Sequence, residues 1–289
     1  MEKLENDHLV ITVNPIGAEL SGIYSKSNQK QYLWQGHPQI WESQAPVLFP
    51  IIGGLKDGFY LHDKKKFKLP KHGFIRYNSD LKLDLREDHK IRYAYRSSEE
   101  TKKSYPFDFE FTITFELVEN EILVSHRVKN MGDQVMYFSV GGHPAFNCPL
   151  HNSESCEEYY IQLQNGSNTL SYILNNSGTI TNRTKAVMKE NKIYLNVNLF
   201  DEDALIFKDI NAEKATLVHK EKGEVLAVSF SDFPDLGIWA KPNASFVCIE
   251  PWLGYADLEN SNQVLAEKEG IQSLNPGKIH HSSYTISIY

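Results

Sequence analysis

The sequence predicts an all-β fold of large antiparallel sheets packed face to face. Three observations carry that expectation: strict period-two alternation in several runs, short polar turn signals between them, and no long stretch with a 3.6-residue apolar repeat. The clearest run is Phe107-Asp-Phe-Glu-Phe-Thr-Ile-Thr-Phe-Glu-Leu117, apolar at every odd position and polar at every even one. Successive side chains of a strand point to opposite faces. This pattern therefore sets one face on a core and one in water, whereas a helix would mix the two sets.

In chain order, His8–Val13 reads as a first strand. After the 107–117 strand, Glu119-Asn-Glu121 turns the chain, and Ile122, Val124 and Val128 repeat the alternation. Asn130-Met-Gly-Asp133 turns it again into Val135–Val140, which makes an antiparallel meander. Lys192–Phe200 alternates through Ile193, Leu195, Val197 and Leu199. Thr216–His219 and Val225–Phe230 flank Lys220-Glu-Lys-Gly-Glu224 as a hairpin, and Tyr284, Ile286 and Ile288 form a final strand. Proline and glycine are scattered rather than gathered into a linker, so residues 1–289 read as one domain. Loops and a concave sheet face are the natural places for a site in such a fold.

Composition narrows the function class. A hydrophobic fraction of 41% supports a sizeable core and argues against disorder. A net charge of -7 argues against nucleic acid or an anionic membrane as partner. The N-terminus, MEKLENDHLV, carries no apolar signal-like run, and Ala45-Pro-Val-Leu-Phe-Pro-Ile-Ile52 is too short to span a bilayer. Cys148, Cys156 and Cys248 form no CxxC pair, which points to a reducing cytoplasm. Sequons such as Asn165-Gly-Ser167 then carry no glycan.

Three constellations hold the chemistry-bearing residues. Pro70-Lys-His-Gly-Phe-Ile-Arg76 places His72 and Arg76 at a bend, either aimed into a cleft or merely in a surface loop. Gly141-Gly-His-Pro-Ala-Phe146 follows a strand; its glycines allow dihedrals closed to other residues, and Pro144 restricts His143. That segment is either a holder for the imidazole or a β-bulge with a packed histidine. Phe246-Val-Cys-Ile-Glu-Pro-Trp-Leu-Gly254 reads as a doubly buried strand that ends at Glu250, with Pro251 stopping the ladder. A carboxylate there is desolvated and becomes a better base near neutrality, and Trp252 offers a flat face to sugar C–H groups. A histidine and a glutamate so placed are the minimum set for acid–base catalysis, which would give a bell-shaped pH profile.

HGFIR at 72–76, GGHPAFN at 141–147 and CIEPW at 248–252, in that order, resemble the aldose 1-epimerase (galactose mutarotase-like) family. APVLFPIIGGLKDG at 45–58 and DEDALIFKDI at 201–210 resemble its LacX-like branch, and the likeness runs nearly end to end. The resemblance implies a β-supersandwich whose concave sheet holds a hexose or hexose 6-phosphate. It implies interconversion of the two anomers by ring opening and reclosure. By position, His143 is implied as the acid on the ring oxygen and Glu250 as the base on the anomeric hydroxyl. His72 is implied to bond near the ring oxygen and Asp203 to hold sugar hydroxyls, while Arg76 lies in the matching HGF-x-R motif. No cofactor and no metal are implied; the partner is a small sugar or sugar phosphate, and a homodimer is left open.

The chain departs from the family pattern at Gly54, where many relatives carry an arginine; Lys56 and Arg76 are candidates to compensate. Lys64, Lys65, Lys66, Lys68, Lys71 and Arg76 crowd the HGF motif, as either a phosphate-binding rim or a solvated hairpin. Three rival readings follow from the same residues. A glycoside hydrolase pairing Glu250 with Asp203 leaves His143 without a role. A zinc hydrolase on His72, His143 and Glu250 lacks two ligands close in sequence. A sugar-binding or sensing protein keeps the pocket without turnover.

Overall fold

The computed structural model describes residues 1–165 and 169–289, so of the 165–167 sequon only Asn165 is among the described residues. The long alternating strands fold as expected. Phe109–Val118 pairs antiparallel with Glu121–Asn130, and that strand pairs with the C-terminal strand Ile279–Ile288. These three lie within a nine-stranded sheet. Lys90–Arg96 and Lys82–Arg86 extend it on one side; Gly223–Ser229, Lys214–His219, Tyr159–Leu163 and Lys192–Tyr194 extend it on the other.

A second large antiparallel sheet has eight strands. Its path runs Ile180–Lys185, Ser171–Leu174, Leu205–Phe207, Asp235–Trp239, Phe246–Leu253, Val140–Gly142 and Val47–Leu48, and Ala145–Asn147 also pairs with Phe246–Leu253. The inward residues of both sheets join one core that includes Phe109, Phe111, Ile113 and Phe115 from one and Val247, Ile249 and Leu253 from the other. Each fully buried ring of this kind stabilises by ~1.5–3 kcal/mol. The opposite face of the second sheet carries a smaller apolar cluster, with Leu48, Ile52, Ile206, Trp252 and Ala256. The site lies on that face.

A four-stranded sheet, with Leu9–Asn14 inside it and Glu2–Glu5 at its edge, completes the N-terminal part. The only α-helix among the described residues is Glu99–Lys102. No described helix is long and apolar enough to cross a membrane.

Two expectations need correction. Only Lys192–Tyr194 of the 192–200 run forms a strand; residues 197–200 turn, with the Leu199 amide bonded to the Asn196 carbonyl. The ladder reaches Leu195, whose amide donates to the Tyr159 carbonyl at 3.2 Å; beyond it no described strand pairs with the run, and an unpaired ladder leaves the backbone free to turn. The strand from Phe246 also continues past Pro251 to Leu253. Proline is tolerated there because the neighbouring chain breaks its ladder at this point. Val140–Gly142 pairs at Trp252 and Leu253, Ala145–Asn147 at Phe246 to Cys248, and the gap between them needs no donor from Pro251.

Candidate active site

The Phe246–Leu253 strand forms the floor of the site. Ile249 and Leu253 join the main core, so Glu250 and Trp252 project to the other face. Glu250 stands opposite Gly237, and Trp252 lies between Asp235 on one side and Gly141 on the other. The Trp252 indole passes over Gly237, where any side chain would collide with its six-membered ring. Both Glu250 and Trp252 are buried, and both line a cavity of about 190 Å³.

His143 enters the same cavity from the end of the Val140–Gly142 strand. Its glycines serve a purpose other than the expected one. Neither Gly141 nor Gly142 adopts a positive φ. They are required by close approach: a Cβ on Gly141 would lie 2.5 Å from the Pro251 carbonyl oxygen, and one on Gly142 would lie 2.5 Å from the Tyr284 hydroxyl. The bare backbone lets the His143 strand press against the Glu250 strand. As a result His143 Nε2 lies 3.3 Å from Glu250 Oε2. The His143 amide donates to the Pro46 carbonyl at 3.1 Å, which fixes the backbone from the other side.

Aromatic rings set the imidazole plane. Trp41 stacks on His143 with centroids 5.1 Å apart, and Trp239 meets it edge-on at 5.8 Å. His72 stands 5.5 Å from His143, also edge-on. His72 is itself held in the left-handed region at φ 67, next to Gly73 at φ 73. Two bonds hold this costly conformation: the His72 amide donates to the Gly53 carbonyl at 2.9 Å, and the Gly53 amide donates to His72 Nδ1 at 3.2 Å. Because Nδ1 accepts, the neutral ring carries its proton on Nε2.

Arg76, in the short 3-10 turn Ile75–Tyr77, lines the cavity and donates to Ser43 Oγ at 2.9 Å. Asp203, at φ 72 just before the Leu205–Phe207 strand, stands at the cavity mouth with Lys71 and is exposed. Lys56 does not take the role considered for it, because its Nζ donates to the Ser261 carbonyl at 3.0 Å. At Gly54 a Cβ would meet only the Gly178 carbonyl oxygen, at 3.5 Å. Of the lysines near the HGF motif, Lys64, Lys65, Lys66 and Lys68 belong to the exposed hairpin of Phe59–His62 and Lys65–Lys68, the solvated alternative of the two considered. Only Lys71 and Arg76 reach the cavity wall.

Burial dominates the electrostatics. It pushes the His143 imidazole down to about 3, with Arg76 adding to the effect. It lowers His72 well below the usual range as well, helped by His143, Lys71 and Arg76. It raises the Glu250 carboxyl well above the usual range, against an opposing pull from Lys71. The cavity also holds under-satisfied polar atoms: His143 Nδ1 is buried without a hydrogen-bond partner, and Glu250 Oε2 makes no well-aligned hydrogen bond, with His143 Nε2 3.3 Å away. Such groups are costly unless a ligand completes them.

His143, Cys248 and Glu250 offer donor atoms within 4.8 Å of one another, a set suited to a divalent ion; His72 is not part of it. Burial raises both the Cys248 thiol and the Glu250 carboxyl, which opposes the proton loss that metal binding requires.

Residues 2–287 match the aldose 1-epimerase family model. The chain belongs to the aldose 1-epimerase family. It is 28% identical to the chromosomal protein LacX of Lactococcus lactis subsp. lactis, over 99% of this chain and 98% of that one. Among solved structures, it is similar to a galactose mutarotase related enzyme from Lactobacillus acidophilus, with a TM-score of 0.94, 32% identity and coverage of 100% and 97%. It is also similar to a galactose mutarotase-like protein from Lactobacillus casei ATCC 334, with a TM-score of 0.93, 25% identity and full coverage of both chains.

All six sequence-derived site residues of this epimerase-family chain line one cavity: His72, Arg76, His143, Asp203, Glu250 and Trp252. Sequence reasoning missed Trp41, Trp239 and Leu174, and it placed Lys71 only within a run. The signal for Trp239 lay in strand register, since it pairs with Cys248, two residues before Glu250. Trp41 had no such signal.

Proposed function

We propose that the protein is an aldose 1-epimerase that interconverts the α and β anomers of a hexose in the cytoplasm. The carrying observation is the 3.3 Å approach of His143 Nε2 to Glu250 Oε2, both buried on the wall of one cavity, with His143 Nδ1 left without a partner. The ring oxygen and the anomeric hydroxyl of a hexose share one carbon. An acid and a base that serve both must therefore converge on one small region, as these two do.

Glu250 takes the proton of the anomeric hydroxyl. The bond from C1 to the ring oxygen breaks, its electron pair goes to the ring oxygen, and His143 supplies that oxygen's proton. The aldehyde turns about C1–C2, the freed hydroxyl attacks the other carbonyl face, and both protons return. His72 Nε2–H and Arg76 donate to sugar oxygens, Asp203 accepts from a hydroxyl, and Trp252 supports the apolar face. The pair holds one proton throughout. Imidazolium with carboxylate meets the closed ring; neutral imidazole with carboxylic acid meets the open chain. Burial favours the second arrangement, which stabilises the state that leads to reclosure. Three free cysteines suit a reducing compartment.

The test is H1 exchange between anomers by NMR. Wild-type protein accelerates exchange, and His143→Asn or Glu250→Gln lowers it by about 10²–10⁴-fold with the fold retained. The pH profile is a wide bell, because the shared proton resists both loss and a second addition. Sugar-induced shifts without any acceleration would identify a binding protein instead.

A further inference from the structure

A buried ion pair stands behind the cavity wall. Lys268 Nζ lies 2.9 Å from Asp257 Oδ1, and both side chains are buried. Neither residue lines the cavity that holds His143 and Glu250. Replacing such a pair by apolar side chains of like volume is often neutral for stability or better, so the fold alone does not call for these two charges.

The contacts of Asp257 point to another role. Its Oδ2 accepts from the Lys56 amide at 2.9 Å while Oδ1 meets Lys268, so both carboxylate oxygens are in use. Its own amide donates to the Gly54 carbonyl at 2.9 Å, and its carbonyl accepts from the Ile180 amide at 2.8 Å. Lys268 is fixed in turn by donating to the Tyr255 carbonyl at 2.6 Å. The chain from residue 53 to residue 56 is thus tied to Asp257 twice, at Gly54 and at Lys56.

That short segment is what holds His72. Gly53, at φ 69, rests on Ala256: a Cβ there would lie 2.5 Å from the Ala256 methyl carbon. From this position the Gly53 amide reaches His72 Nδ1, and the Gly53 carbonyl takes the His72 amide. The left-handed backbone of His72 and the tautomer of its ring both depend on where Gly53 is held. Contact therefore runs from Lys268 through Asp257 and Gly53 to the imidazole. We propose that Asp257, fixed by Lys268, is a positioning residue for His72, holding the 53–56 segment so that the ring keeps its proton on Nε2. Its effect on turnover rests on the epimerase reading; its effect on the ring does not.

The test pairs ¹⁵N NMR of the histidine rings with anomer exchange of glucose and galactose. Asp257→Leu with Lys268→Met removes both charges and the acceptor for Lys56. Asp257→Asn with Lys268→Met removes the charges and keeps an acceptor. In wild type the Nδ1 and Nε2 signals of His72 are widely separated, as one fixed neutral tautomer requires. The Leu/Met pair should draw them together as the second tautomer is populated, with the His143 signals unmoved. It should raise KM by about tenfold, the scale of one hydrogen bond, with kcat nearly unchanged. The Asn/Met pair should restore both readouts. Lys56→Pro reaches the same link from the donor side and leaves the ion pair in place, so it serves if the Leu/Met pair does not fold. Leu55 is extended at φ -89 and ψ 144, which suits a residue before proline. Lys56→Pro should act as the Leu/Met pair does, whereas Lys56→Ala, which keeps the amide, should not.

Unmoved His72 signals in the Leu/Met pair or in Lys56→Pro would overturn the proposal. So would His143 signals that move with them, which would mean general loosening, or an Asn/Met pair that fails to rescue. Spontaneous exchange in wild type would overturn the epimerase reading instead and leave the His72 signals to decide the role of Asp257.

Discussion

Glu250 is a carboxyl kept where a carboxylate is least welcome, and the fold should register that cost. Its pKa is raised well above the ordinary glutamate value of 4.5, by burial first. A group raised in the folded state contributes most below the unfolded value, and that contribution is lost as pH rises through the folded value. Glu250→Gln keeps the shape and removes the charge. Its midpoint of thermal unfolding should therefore match that of wild type below about pH 4.5 and exceed it at pH 8 by a few degrees, on the order of 2–4 °C for each kcal/mol recovered. Melting curves at the two pH values, beside the loss of turnover, check this. Equal midpoints at pH 8 would mean that water or relaxation already relieves the buried charge.

At the scale of elements, the site depends on two strands that touch through bare backbone. Gly141 is extended and could carry a side chain by its dihedrals, yet its Cβ would sit 2.5 Å from the Pro251 carbonyl oxygen. Backbone cannot swing away as a side-chain tip can. Gly141→Ala should therefore part the Val140–Gly142 and Phe246–Leu253 strands and cost about 1–3 kcal/mol by overpacking. It should also separate His143 from Glu250, and a displacement near 1 Å costs on the order of 10²-fold in rate. Urea unfolding and anomer exchange on one sample check both effects; a variant with reduced stability and normal kcat would show that the acid–base spacing does not depend on this contact. The same comparison shows where sequence is legible. The 107–117 alternation announced its strand because burial follows side-chain parity along one chain. The role of Gly141 was not legible, because it depends on Pro251, a residue far away in sequence. The 192–200 run misled for a related reason: its parity is that of a strand, and only the missing partner beyond Leu195 reveals the turn.

At the scale of the whole molecule, the two sheets enclose histidines that must stay neutral. His126 lies between Phe111, Phe233 and Tyr284, with neither ring nitrogen hydrogen-bonded. Burial pushes it down to about 3, with a smaller push from His280, which is itself lowered. His72 is lowered too, while His143 and Glu250 largely offset each other because they share one proton. A depressed histidine contributes stability above its unfolded value of 6.5, and that contribution is lost as pH falls toward the folded value. Asp235 acts in the opposite sense, since burial raises it to about 6 and its penalty eases on acidification. The histidines outnumber it, so acid should destabilise the fold from pH 6.5 downward. Each neutral buried histidine adds a slope of about 1.4 kcal/mol per pH unit. His126→Phe fills the same aromatic pocket without a titratable ring. Urea unfolding between pH 7 and pH 4 should give a shallower loss for His126→Phe than for wild type. Parallel lines would mean that His126 gains its proton without cost, through an opening of the core that the closed packing of Phe111, Phe233 and Tyr284 does not provide.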